Sequence, residues 1–138
     1  MSDRIRFIPN PASSDQVLLI DLRGFNTPSE SLDYIALARS VVAAQPHNSL
    51  QCLVDVTDAR FNTEVVEAMK EFAAHNRPFV ISSAIVGVTG LQRIILEAVT
   101  KFTGRTNLKA IPTRDEAFTW LAEQRAAHVP SAASRATS

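Results

Sequence analysis

The sequence has a single cysteine, no excess of either charge and no long apolar run, and each absence excludes a class of protein. Cys52 alone forms no intrachain disulfide and no multi-cysteine zinc site, and its apolar neighbours indicate a buried core thiol. The 14 basic residues are balanced by 14 acidic residues. This balance argues against a nucleic-acid-binding protein and against a protein held to a membrane by basic charge.

No stretch is apolar for long enough to predict a membrane span, because polar residues interrupt the apolar runs at Ser82, Ser83, Gln92, Arg93 and Glu97. The opening residues, MSDRIRFIPN, contain no apolar segment of the kind that signal peptides carry. We therefore expect a cytoplasmic protein.

Phosphate-binding and metal-binding motifs are also missing. The segment GVTG is the only glycine pair of note, and it has neither the lysine of a Walker A loop nor the spacing GxGxxG. His47, His75 and His128 lack ligand spacing to one another, and none has a serine or cysteine in a nucleophile context. We expect no metal, no cofactor and no catalytic triad.

What is present is enough apolar sequence for one domain with its own core. The chain has 138 residues, of which 46% are hydrophobic. We place a single domain at residues 1–124. Residues 125–138 are interpreted as the end of the last helix followed by a mobile Ala/Ser-rich tail of roughly ten residues.

Strand-like and helix-like segments alternate along that domain. The first two strands, RIRFI and QVLLIDL, predict an antiparallel hairpin at the sheet edge, and three more strands follow, LQCLVDV, RPFVISSAIVGV and NLKAIP. Helical spacing predicts about four helices between and after them, and two of these begin at capping-box patterns, TPSE at Thr27 to Glu30 and TRDE at Thr113 to Glu116. The fold class expected is therefore α/β, with a mixed, mostly parallel sheet of four to five strands.

Polar residues crowd the junction VDVTDARFNTEVVEAM, where the central strand ends and a helix begins. The candidate residues there are Asp55, Thr57, Asp58, Arg60 and Thr63. Two carboxylates can serve acid/base chemistry or bind Mg²⁺, but turns and helix caps use the same residue types. Thr63, or Asn62, is expected to be the helix N-cap.

A second candidate lies at the next strand end, in Gly87, Thr89, Gly90 and Arg93. A helix N-terminus with an arginine nearby can hold an anion, and glycines also relieve crowding in a tight strand-to-helix turn. The helix predicted over Leu91 to Phe102 is apolar on more than one face. Leu96 and Val99 are therefore candidates for burial, for a ligand pocket or for a dimer contact.

The element order, together with VDVTDARFNTEVVEAM, SSAIVGVTGLQRIILEAV and TRDEAFTWL, resembles the STAS-like superfamily. That superfamily includes anti-sigma-factor antagonists and the STAS domains of anion transporters. The chain looks most like a stand-alone bacterial STAS-like domain, and the resemblance covers Ile5 to Gln124.

The chain departs from that family at the phosphorylated serine of the anti-sigma antagonists. Asp55, Thr57 and Phe61 match the family motif Leu-Asp-Leu-Ser…Phe-x-Asp-Ser-Ser-Gly, but the run from Thr63 to Val66 stands where Asp-Ser-Ser-Gly is expected. The phosphoacceptor position holds an acid or an aliphatic residue, depending on a one-residue choice of register. A kinase-controlled switch is therefore not expected, although Thr63 offers a displaced hydroxyl.

The resemblance implies a non-enzymatic regulatory or protein-interaction module that binds a protein partner, itself or both. Two alternatives stay open. One is a domain that binds a small apolar, lipid-like or anionic ligand near Gly87 to Arg93 and the helix predicted over Leu91 to Phe102. The other is a hydrolytic enzyme that uses Asp55, Asp58 or Arg60.

Overall fold

A computed structural model describes residues 3–60, 62–90, 93–94 and 107–137. Within these ranges, five strands form one sheet in the order β1-β2-β3-β4-β5, and three helices accompany it. β1 pairs antiparallel with β2, and the remaining pairs are parallel. The elements are β1 (Ile5–Pro9), β2 (Gln16–Asp21), α1 (Pro28–Ala43), β3 (Leu50–Asp55), α2 (Thr63–Asn76), β4 (Val80–Val86), β5 (Leu108–Ile111) and α3 (Arg114–Thr137).

The sheet separates two apolar cores. One face packs with α1 and α2, where Leu18, Ile20 and Val54 of the strands are buried with Ile35 of α1 and Val65 of α2. The other face carries a smaller core under α3. Its buried residues are Val17, Leu19, Leu53, Ala84, Val86, Ile111, Ala117 and Leu121. Because both faces are covered, the parallel strands are apolar almost throughout, as the sequence indicated.

The α/β class, the antiparallel edge hairpin and the parallel remainder of the sheet are confirmed. The helix predicted over Leu91 to Phe102 lies mostly outside the described residues, together with its candidate interface residues Leu96 and Val99. α3 extends to Thr137. The mobile Ala/Ser-rich tail within residues 125–138 stays a prediction.

Local sequence explains where the helices begin. The Glu30 carboxylate accepts from the backbone N–H of Thr27 at 3.3 Å and from its hydroxyl at 2.9 Å, so the capping box expected before Pro28 is present. The Asn62 side chain accepts from the Val65 N–H at 2.9 Å and is therefore the N-cap of α2. Thr63, the other candidate for that cap, is the first helical residue.

A bulge in β4 helps to fix α3 across the sheet. The register passes from Leu50 opposite Val80 to Gln51 opposite Ser82, so one residue of β4 has no partner. This places the Gln51 amide within 2.8 Å of the Ser82 hydroxyl and within 2.7 Å of the carbonyl oxygen of Leu121 in α3. A buried side-chain amide thereby ties the helix to the two central strands.

The loops after β2, β3 and β4 lie side by side at the carboxyl edge of the sheet. Backbone N–H groups of Leu22 and Gly24 donate to the carbonyl oxygens of Asp55 and Thr57, at 2.8 and 2.9 Å. Gly87 lies so close to Thr57 that a Cβ on Gly87 would stand 2.6 Å from the Thr57 nitrogen and 2.7 Å from its Cα. Glycine is thus required at position 87 for two reasons: there is no space for a side chain, and the φ of +87° is one that only glycine adopts readily.

We expect Gly87→Ala to destabilise the protein more than Gly24→Ala does. Both glycines have positive φ, which costs alanine about 1–2 kcal/mol. At Gly24 no atom lies within 4 Å of the added Cβ, so the overlap with Thr57 is specific to Gly87 and adds about 1–3 kcal/mol. Urea unfolding of the two variants measures this difference, and equal losses of stability would contradict it.

Candidate functional site

Two buried carboxylates lie next to each other at the carboxyl edge of the sheet. Asp21 ends β2 and Asp55 ends β3, and the two residues are partners in the parallel register. They are 7% and 2% exposed. Two buried like charges at neighbouring positions would repel each other strongly in the low-dielectric interior, so they require compensating cations.

Arg23 compensates Asp21. Its Nε and Nη2 atoms donate to Oδ1 and Oδ2 of Asp21 at 2.9 and 2.8 Å, a two-point contact of planar guanidinium with planar carboxylate. The backbone N–H of Arg23 also donates to Asp21 Oδ1, at 3.1 Å. The turn that follows β2 is therefore organised around this carboxylate.

Asp55 is held by groups from two elements. Arg114, the first residue of α3, donates from Nε to Asp55 Oδ2 at 2.8 Å, and its Nη2 lies 3.8 Å from Asp21 Oδ2. The other oxygen of Asp55 accepts from the Thr57 hydroxyl at 2.6 Å and from the Thr57 N–H at 3.1 Å. The hydroxyl of Thr57 is thus turned inward, toward the carboxylate.

A third arginine joins this cluster from the edge strand. Arg4 donates from Nη1 to the carbonyl oxygens of Asp21, at 3.3 Å, and Arg23, at 2.9 Å. Its guanidinium carbon lies 4.2 Å from the centre of the Phe25 ring, a cation–π distance. We call Arg4, Asp21, Arg23, Asp55 and Arg114 the edge cluster.

The arginines also determine the charge state of Asp21. Burial alone raises its pKa, but the side-chain and backbone hydrogen bonds from Arg23 and the charges of Arg23 and Arg114 outweigh burial, so the pKa lies below its ordinary value. The same contact raises the pKa of Arg23. Both groups are therefore charged at neutral pH.

The candidate residues from the central junction divide into two groups. Asp55 and Thr57 belong to or contact the edge cluster, whereas Asp58, Arg60 and Thr63 are exposed. Asp58 has a φ of +59°. This left-handed conformation is tolerated best by glycine, asparagine and aspartate.

The candidates at the end of β4 have different surroundings. Gly87 packs on Thr57, while Thr89, Gly90 and Arg93 are exposed. The Arg93 N–H donates to the Gly90 carbonyl at 3.1 Å, a turn-type contact.

Sequence reasoning missed Arg4, Asp21, Arg23 and Arg114 as site residues. Each lies at or next to the end of an element: Arg4 just before β1, Asp21 and Arg23 at and after the end of β2, and Arg114 at the start of α3. Charged residues are common at such positions. One signal was available, because Asp21 and Asp55 occupy equivalent positions at the ends of two apolar strands, and parallel pairing brings such ends together.

An open depression lies beside the edge cluster. Its volume is about 410 Å³, and it is lined by Arg4, Asp21, Arg23, Gly24, Thr57 and Asp58. The strand order has no reversal point among the described strands, so the crevice in which open α/β sheets usually bind ligands does not form. The depression is instead a feature of the two loops after β2 and β3.

Among the described residues, no three His, Cys, Asp or Glu side chains are grouped so that they could hold a metal ion. In the same part of the chain, no helix combines the length and the apolar character that are needed to span a bilayer.

Comparison of the chain with protein-family models, with curated proteins and with solved structures gave no match.

We expect Asp21 to make the protein sensitive to acid. Its lowered pKa stabilises the fold above the unfolded-state value of about 3.9, and this contribution is lost as the pH falls through the lower folded-state pKa. Asp21→Asn should therefore reduce stability at pH 7 and flatten the decline in acid. Urea midpoints between pH 2.5 and 7 measure this, with Asp58→Asn as a matched control; parallel curves for Asp21→Asn and the unmodified chain would contradict it.

We expect Arg114→Met to cost about 2–4 kcal/mol, because it leaves Asp55 buried without its cation. Replacing the carboxylate as well, in Arg114→Met/Asp55→Asn, should restore part of that loss, since no buried charge then remains unpaired at Asp55. A double-mutant cycle by chemical unfolding measures the coupling, and additive losses would show that the contact contributes nothing.

Proposed function

We propose that the chain is a STAS-like regulatory or protein-interaction module, not an enzyme, that binds a protein partner through the carboxyl edge of its sheet. The observation that carries this proposal is the internal neutralisation of Asp21 and Asp55. Both carboxylates, the groups best placed for acid/base chemistry at this edge, accept hydrogen bonds from arginine and are committed to structure. The groups that another molecule can contact at this edge are therefore the exposed residues above the two carboxylates.

That exposed layer has the composition of a recognition surface. Arg23 and Arg60 present guanidinium groups, Asp58 presents a carboxylate, and Asn62 and Thr63 present polar groups at the start of α2. Beneath them the loops are fixed by hydrogen bonds between neighbouring strand ends. A preorganised polar surface of this kind loses little conformational entropy when a partner binds.

The STAS-like assignment rests on the order of elements and on the position of the junction Val54 to Met69. An N-terminal antiparallel strand followed by alternating helices and parallel strands is the arrangement that the resemblance implies. The inward Thr57 hydroxyl, bonded to Asp55, favours a structural role for that residue. Thr63 is exposed, so a modifying enzyme could reach its hydroxyl.

Self-association is part of the proposal. Its candidate surface comprises Leu96 and Val99 of the helix predicted over Leu91 to Phe102, which is distinct from α3. An apolar helix face that exceeds what one sheet covers is typical of a subunit contact. The chain would then act as a homodimer that presents two carboxyl edges.

Binding of an apolar small molecule is a second candidate, because a cavity lies between α2 and the sheet. It is lined almost entirely by apolar side chains, among them Cys52, Met69 and Phe72. Its volume, however, is only about 40 Å³, whereas a single water needs about 10–15 Å³ on the same measure. A lipid chain does not fit such a space without displacing α2, so partner binding is the better-supported function.

Site-specific photo-crosslinking in the native host tests the carboxyl edge as a docking surface. We expect a photoreactive residue at position 60 to form a protein adduct, and the same residue at position 123 on α3 to form none. Both positions are exposed, so they differ in location and not in accessibility. Introducing Asp58→Asn should reduce the adduct several-fold, because it removes one exposed charge of the surface and asparagine tolerates the left-handed backbone at this position.

Two results would contradict the docking surface. One is equal adduct formation from positions 60 and 123, and the other is no adduct from position 60. Adducts of twice the 15.1 kDa chain mass would identify the partner at this edge as a second copy of the chain.

A further inference from the structure

A groove that is open to solvent runs between α1 and α2, which pack side by side on one face of the sheet. Residues of α1 form one wall and residues of α2 form the other. The lining residues are Leu32, Ile35, Ala36 and Arg39 of α1, and Ala68, Glu71 and Phe72 of α2. None of them belongs to the edge cluster or to the proposed docking surface. We call this feature the α1–α2 groove.

The size of the α1–α2 groove suits side chains of a protein better than a free ligand. Its volume is about 170 Å³, below the usual range of small-molecule pockets, about 300–1,000 Å³. The small side chains of Ala36 and Ala68 keep the two walls apart. Leu32 and Phe72 are only half-buried, so apolar surface in the groove still contacts water. Covering that surface with a protein partner is favourable.

The two walls carry opposite charges. Arg39 lies on the α1 wall and Glu71 on the α2 wall, and both are exposed. Among the residues that the structure describes, no ion pair engages either side chain. Glu67, one turn earlier on α2, differs in this respect, because it pairs with Lys70 at 3.2 Å. Arg39 and Glu71 can therefore each take a partner of opposite charge.

A groove with opposite charges on its two walls is complementary to a second copy of itself. Rotating a copy by 180° about the line of the groove places its α1 wall over the α2 wall of the first copy. Arg39 of each copy then faces the wall that carries Glu71 of the other. The same contact forms twice, as a two-fold symmetric interface requires.

We propose that two copies of the chain associate through their α1–α2 grooves. The four helices then form a bundle whose centre contains Leu32 and Phe72 of both copies, and Arg39 of each copy pairs with Glu71 of the other. This inference rests on the self-association proposed above and gives it a surface distinct from Leu96 and Val99. Docking of a different protein at the carboxyl edge does not enter into it.

Sedimentation equilibrium of the purified chain, between micromolar and millimolar concentrations, tests the contact. We expect the unmodified chain to approach twice its 15.1 kDa mass. Arg39→Glu and Glu71→Arg should each weaken the dimer about tenfold or more, because each converts two attractive contacts into two repulsive ones. Arginine and glutamate have similar helix propensity, so the helices should be retained, which far-UV circular dichroism checks.

Mixing the two variants identifies the pair directly. In a dimer of Arg39→Glu with Glu71→Arg, one contact joins the two introduced charges and the other joins the two native ones, so both are attractive. We therefore expect the mixture, and the double variant Arg39→Glu/Glu71→Arg, to regain the dimer. Arg77→Glu and Glu123→Arg, which reverse exposed charges outside the groove, should leave the dimer unchanged.

Three results would overturn the proposal. A chain that stays monomeric up to millimolar concentration would reject both this interface and the proposed self-association. A dimer that withstands both single reversals would reject the α1–α2 groove alone and leave the surface at Leu96 and Val99 standing. Failure of the mixture to regain a dimer that each reversal had removed would show that Arg39 and Glu71 are not partners.

Discussion

The structure depends on the compensation of two buried negative charges that parallel pairing brings side by side. Asp21 and Asp55 end adjacent strands, and burying two negative charges at neighbouring positions is strongly unfavourable unless cations contact them. The cations come from three separate places, the start of β1, the turn after β2 and the first residue of α3. One electrostatic requirement therefore joins the edge strand, the centre of the sheet and the last helix.

This constraint also explains why a dense polar junction need not be reactive. A general acid or base must exchange its proton near neutral pH, and arginine contacts oppose that exchange by favouring the charged carboxylate. The lowered pKa of Asp21 is the direct sign of this effect. The groups that remain exposed above the cluster are of types suited to recognition, and this is the basis on which we propose a binding role for the edge.

Much of the fold was predictable because local patterns determine it. Apolar runs, and alternating polar and apolar residues in RIRFI, located the five strands, and the capping residues Thr27 and Thr113 located the starts of two helices. The edge cluster was not predictable in the same way, since Arg4 and Arg114 are 110 positions apart in the sequence and meet only through the sheet. Asp55 and Thr57 were identified as candidates, but their partners depend on tertiary pairing that no local pattern encodes.

The sequential strand order has a consequence for how the chain is made. Each strand pairs with the one synthesised just before it, so the sheet can grow in step with translation. The face that α3 covers is the exception, because Val17, Leu19 and Leu53 emerge from the ribosome long before that helix does. During this interval the apolar residues of that face lack the helix that covers them, and the emergence of α3 supplies it.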